Sequence, residues 1–128
     1  MKKRVLIIED KPDMRRLVRL NLEAAGYEIL ESGSADEGAA LAIKEKPDIV
    51  LLDIRLPHKK KGIGVARKIR ENEETRGTPI IFVTGYPGMR GMVENLRITD
   101  SDFLAKPFDM SELVALIEKY TNSNSNDE

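Results

Sequence analysis

The chain has 128 residues, which fits one compact domain and leaves no room for a second. Its 21 Lys+Arg against 22 Asp+Glu give a formal net charge of -1, which argues against a general nucleic-acid binder, since that role needs a basic excess to displace counterions. There is no cysteine, so disulfides, thiol chemistry and Cys-ligated zinc are excluded.

In chain order, the basic start Met1-Lys2-Lys3-Arg4 leads into the apolar run Val5-Leu6-Ile7-Ile8, which Glu9 and Asp10 end. The run is too short for a signal peptide or a membrane span, so no membrane insertion and a cytoplasmic address are expected. It reads instead as a strand covered on both faces. Met14, Leu17, Val18, Asn21, Leu22 and Ala25 then follow helical spacing, with Pro12 suited to a first helical position. Residues 27–31 are more polar and read as an edge strand. Ser34 and Glu37 form a capping box ahead of Ala39, Ala42 and Ile43. A second uninterrupted strand, Ile49-Val50-Leu51-Leu52, runs into Asp53. Val65, Ala66 and Ile69 mark a third helix, whose start Gly62 and Gly64 weaken. Ile80-Ile81-Phe82-Val83 is the next buried strand and runs into Thr84. Met89, Met92, Val93 and Leu96 mark a fourth helix. The short run Phe103-Leu104-Ala105 precedes Lys106-Pro107. Asp109 and Glu112 cap a fifth helix with the stripe Leu113, Leu116, Ile117 and Tyr120. The domain is expected over 3–120, followed by a polar, aperiodic tail at 121–128 expected to be disordered.

Strand and helix thus alternate five times, which implies a parallel sheet with helices on both faces. Right-handed crossovers leave few topologies. The doubly wound order 2-1-3-4-5 puts the polar strand 27–31 at an edge. In a parallel sheet the strand ends point one way, and ligands bind outside them near the switch point between strands one and three. Glu9, Asp10 and Asp53 should therefore converge. Two like charges ~4 Å apart at an effective dielectric of about 20 cost roughly 4 kcal/mol, so a cation must offset them. Hard oxygen ligands without His or Cys suit Mg²⁺. Asp53 is then placed to act as a nucleophile toward phosphorus, forming an acyl phosphate. Lys106 supplies a second positive charge, and Thr84 a hydroxyl for a phosphoryl oxygen.

Together, Glu9-Asp10, Asp53-Ile54-Arg55-Leu56-Pro57, Thr84-Gly85 and Phe103-Leu104-Ala105-Lys106-Pro107-Phe108 resemble the receiver domains of two-component response regulators, from about Lys3 to Tyr120. The resemblance implies a flavodoxin-like (βα)5 three-layer α/β sandwich acting as a phosphorylation-activated switch, single-domain in type. Asp53 looks like the phosphoacceptor. Asp10 looks like a direct Mg²⁺ ligand and Glu9 like one acting through water, with the backbone carbonyl of Arg55 as a third ligand. Thr84 and Phe103 look like the switch pair, in which the ring moves inward behind the hydroxyl. Lys106 looks like the phosphate-contacting lysine, with a cis bond to Pro107. Arg55 and Tyr86 stand two residues after Asp53 and Thr84, at positions that tune hydrolysis in receivers, and Tyr86 is expected to hinder water attack. Implied partners are a sensor histidine kinase or a His-containing phosphotransfer domain, and a separate downstream protein. The responding surface would combine helix 89–96, the Phe103 strand and the last helix. The chain is expected to assist its own phosphorylation and dephosphorylation rather than to be an enzyme.

One departure from the family pattern stands out. The Gly usually found eight residues after the phosphoacceptor is Lys61 here, with Gly62 one residue later, so a loop His58-Lys59-Lys60-Lys61 is expected to be one residue longer and basic. Other readings are weaker. A phosphohydrolase of the haloacid dehalogenase type needs an acid two residues beyond its nucleophile, where Arg55 stands. Flavin or nucleotide binding needs phosphate-binding N–H donors after strand one, where the chain is acidic and carries Pro12. A degenerate receiver serving only as an interaction module does not account for the full set of acceptor, acidic pair, Thr and Lys.

Overall fold

The structure, a computed structural model, describes residues 2–54, 59–85, 88, 91, 94, 98 and 100–122. The elements run β1 (Arg4–Ile8), α1 (Pro12–Ala24), β2 (Glu28–Ser32), α2 (Ala35–Glu45), β3 (Ile49–Asp53), α3 (Lys59–Glu71), β4 (Ile80–Thr84), β5 (Ser101–Ala105) and α4 (Met110–Asn122). The five strands form one parallel sheet in the order β2-β1-β3-β4-β5, as the sequence implies. The expected helix of Met89, Met92, Val93 and Leu96 lies outside the described residues.

Alternation along each strand divides the core in two. Val5, Ile7, Leu51, Ile81, Val83 and Leu104 pack with Val18 and Leu22 of α1 and Leu113 and Ile117 of α4. Leu6, Ile8, Val50, Leu52, Phe82 and Phe103 face the other way, against Ala39 and Ala42 of α2 and Val65, Ala66 and Ile69 of α3. Both faces of β1, β3 and β4 are therefore covered, which is why their sequences are continuous apolar runs. Half of each expected capping box forms. Ser34 Oγ accepts the Glu37 N–H at 3.2 Å, and at α4 the Asp109 N–H donates to Glu112 Oε1 at 3.1 Å.

Three boundaries differ from the sequence reading. β2 starts one residue later, because its ladder with β1 pairs Arg4 with Glu28 and Ile8 with Ser32. Tyr27 instead packs into the core beneath α1 and α4. The lysine run does not prolong a loop: Lys59 and Lys60 already belong to α3. Gly62 lies inside that helix, against Ile54, where a Cβ would stand 3.2 Å from Ile54 Cγ1. It is a point of close packing rather than a helix start. α4 runs on to Asn122, because Thr121 is buried and its hydroxyl donates to the Ile117 carbonyl at 2.8 Å.

Packing of α2 on β1 is tight enough to test. A Cβ on Gly38 would come within 2.6 Å of Ile8 Cδ1 and 2.8 Å of Ile8 Cγ1. Gly38→Ala gains about 1 kcal/mol of helix propensity but overpacks the core, which costs about 1–3 kcal/mol. We expect a net loss of about 1 kcal/mol, read as a lower urea midpoint, with Ile8→Val restoring most of it. A Gly38→Ala protein more stable than wild type would contradict this account of the contact.

Candidate metal and phosphoryl site

The carboxyl ends of β1, β3, β4 and β5 deliver the chemistry to one edge of the sheet. Ladder bonds carry on one residue past the strands. The Glu9 N–H donates to Ser32 O at 3.0 Å, the Ile54 N–H to Val83 O at 2.8 Å, and the Lys106 N–H to Thr84 O at 2.8 Å. The backbones bearing Glu9, Asp53 and Lys106 are thus fixed by the sheet itself.

Glu9, Asp10 and Asp53 each bring a carboxylate oxygen into a cluster in which all three lie within 4.8 Å of one another. The Lys106 ammonium stands 3.1 Å from Asp53 Oδ1 and 3.6 Å from Glu9 Oε1. Glu9 and the Asp53 side chain are each only 5% exposed, whereas Asp10 lies at the exposed rim. Glu9 Oε2 accepts the Lys11 N–H at 3.2 Å. Beyond the Lys106 ion pair, neither buried Asp53 oxygen has a hydrogen-bond partner among the described residues. Three carboxylates and one ammonium leave the cluster two charges negative in formal terms.

The surplus shows in Glu9. Burial first, and then the Asp53 carboxylate beside it, push Glu9 up from 4.5 to about 7. A carboxyl whose folded value is raised contributes stability fully present below pH 4.5 and lost as the pH rises through about 7. In metal-free buffer the protein should therefore lose on the order of 1–3 kcal/mol more than Glu9→Gln between pH 5 and pH 8. Urea unfolding in EDTA at the two pH values checks this, and parallel losses in both proteins would exclude Glu9 as the source.

Buried oxygen atoms without hydrogen bonds, in a donor set made only of carboxylates, fit a hard cation such as Mg²⁺. Glu9, Asp10 and Asp53 are the residues that would hold it. The Arg55 carbonyl expected as a further ligand lies outside the described residues, as do Tyr86 and His58. Beside Asp53 a cleft of about 240 Å³ opens, lined also by Asp10, Ser34, Ala35, Lys61 and Gly62. The sequence reading assigned none of the last four to the site.

Thr84 is buried at the end of β4. Phe103 pairs with Phe82 and Ala105 with Thr84, so Thr84 and Phe103 lie on the same face of the sheet, one pleat apart on neighbouring strands. The Phe103 ring packs in the α2/α3 cluster. The Lys106–Pro107 peptide is cis.

Comparisons with known proteins follow the same lines. The family model described as the response regulator receiver domain matches residues 5–118. The DNA-binding dual master transcriptional regulator RpaA of Synechocystis sp. is 35% identical over 114 residues, covering 89% of this chain and 47% of that protein. The chain spans about half the length of the first such relatives it matches. Among solved structures, one is the receiver domain of a sensor histidine kinase from Pseudomonas aeruginosa PAO1, with a magnesium ion coordinated in the active site cleft. It matches with a TM-score of 0.81 at 28% identity, over 95% of this chain and 99% of that one. A CheY-like response regulator receiver domain protein from Methanospirillum hungatei JF-1 matches with a TM-score of 0.86 at 26% identity, over 100% of both chains.

Proposed function

The chain belongs to the response regulator receiver domains of two-component signalling, and on that premise we propose that it is a switch that takes a phosphoryl group onto Asp53 with Mg²⁺. The observation that carries this reading is the cluster itself: three carboxylates within 4.8 Å of one another, with the Lys106 ammonium 3.1 Å from Asp53 Oδ1. Asp53 is the nucleophile. One of its oxygens forms a bond to phosphorus while the bond from phosphorus to the donor breaks, and that electron pair leaves with the donor. A bound Mg²⁺ would neutralise the carboxylates and the oxygens of the transferring group. Lys106 stabilises the negative charge on the phosphoryl group as it arrives. The Thr84 hydroxyl turns to the phosphoryl oxygens, and Phe103, on the same face, follows it.

The phosphoryl donor is a phosphohistidine, on a sensor histidine kinase or a phosphotransfer domain, and the switched surface addresses a separate protein. The chain accepts one phosphoryl group and promotes its own transfer and hydrolysis, so it turns over no separate substrate. It works in the cytoplasm; among the described residues no helix is long and apolar enough to cross a membrane.

Intact mass after incubation with acetyl phosphate tests the reading. One phosphoryl group should be gained with Mg²⁺ and none in EDTA. No adduct with Mg²⁺, together with no binding of the acyl-phosphate mimic beryllofluoride, would leave the chain a degenerate receiver that serves only as an interaction module.

A further inference from the structure

Arg15 of α1 has no place in the chemistry so far, yet it reaches the backbone that carries the acidic pair. Its Nη1 donates to the Glu9 carbonyl oxygen at 2.9 Å. That oxygen belongs to the peptide unit joining Glu9 to Asp10, so its direction fixes how the two carboxylates stand relative to each other. Among the bonds that hold this turn are three: the Glu9 N–H on Ser32 O, the Glu9 carbonyl on Arg15, and the Lys11 N–H on Glu9 Oε2. Arg15 supplies the only one of the three made by a side chain of α1.

The guanidinium is itself held. Its Nε donates to Glu31 Oε1 at 3.2 Å, and the other oxygen of Glu31 accepts from Arg19 Nη1 at 2.6 Å. Glu31 sits in β2, the strand that already anchors Glu9. Gly33 completes the seat. A Cβ there would lie 2.9 Å from Arg15 Nη1, so the guanidinium, at the end of a flexible side chain, would have to shift from its present place on the carbonyl. The Arg15 side chain is 23% exposed and that of Glu31 27%, so the pair is partly shielded from water and its hydrogen bonds are charge-assisted.

We propose that Arg15, seated by Glu31 and Gly33, is a positioning residue that orients the Glu9–Asp10 peptide so that the acidic pair can share one divalent cation with Asp53. The proposal rests on the Mg²⁺ reading above. It touches neither the cation nor the phosphoryl group, and it acts through a main-chain oxygen. Outer-shell partners of metal ligands commonly carry 10–100-fold in affinity.

The experiment is calorimetric titration of Mg²⁺ into wild type, Arg15→Met, Arg15→Lys and Gly33→Ala, each with its metal-free thermal midpoint. Arg15→Met is expected to weaken Mg²⁺ by about tenfold, and Arg15→Lys to recover part of that. Gly33→Ala keeps Arg15 but displaces its guanidinium, and should weaken Mg²⁺ without a matching fall in the midpoint. A merely structural Arg15 would lower the midpoint and leave the Mg²⁺ Kd at the wild-type value; that result in both Arg15→Met and Gly33→Ala overturns the proposal. A wild-type chain that binds no Mg²⁺ overturns the cation reading and the proposal with it, so the two failures are told apart.

Discussion

Asp53→Asn is expected to take up no phosphoryl group from acetyl phosphate and Mg²⁺, while keeping its fold. A carboxamide is not a nucleophile toward phosphorus, and the neighbours are poor substitutes. Glu9 is buried, is engaged by Lys11 and Lys106, and carries a proton much of the time near pH 7. Asp10 sits at the rim. Intact mass with peptide mapping reads the outcome, and a phosphoryl group found on Glu9 or Asp10 would show that Asp53 is not the only acceptor. The same variant carries a second expectation. Asp53 raises Glu9 both as a close carboxylate and as a negative charge, but burial is the larger cause. Glu9 should therefore titrate lower in Asp53→Asn, yet still above the ordinary 4.5. Carboxyl NMR of Glu9 measures it, and an unchanged value would mean that burial acts alone.

The sheet was legible because its physics is written locally. β1, β3 and β4 are covered on both faces, so their sequences are unbroken apolar runs. The polar strand that became β2 could only be an edge. From that order it followed that Glu9, Asp10, Asp53 and Lys106 share one end of the sheet, and the distances bear out the convergence. What escaped the sequence depends on partners far along the chain. The one-residue shift of β2 comes from its ladder with β1, which residues 27–31 cannot reveal by themselves. Gly62 and Gly64 read as a weak helix start, but α3 begins earlier, at Lys59. Lysine is a good helix former, although three in a first turn oppose the dipole. Arg15 left no signature, because its partner is a main-chain oxygen and any residue type offers one. The raised Glu9 was equally hidden. A carboxylate after a strand looks the same whether it faces water or, as here, is buried and lines a small pocket with Met14, Val83 and Phe108.

Lys106→Met should slow phosphoryl transfer to Asp53 by about 10²-fold or more, the usual effect of losing one fixed positive donor from a site where negative charge develops. Its effect on the cation should run the other way. Lys106 is the ammonium paired with Glu9 and Asp53 in the carboxylate cluster, and it repels any divalent ion that joins them. Without it the cluster is formally three charges negative rather than two, so Mg²⁺ should bind as tightly as in wild type or more tightly. Glu9 should also rise further, since Lys106 is among the groups that lower it. Below about pH 7 the extra proton on Glu9 competes with the cation, so the gain in Mg²⁺ affinity is expected at pH 8 and should shrink toward pH 6. Phosphorylation rates and Mg²⁺ titrations on one preparation separate the two effects. If both fell together, Lys106 would be a prop for the pocket, and the phosphoryl charge would have to be met by other groups. Opposite signs can arise only if the lysine acts on the incoming anion, because a collapsed pocket would lose the cation as well.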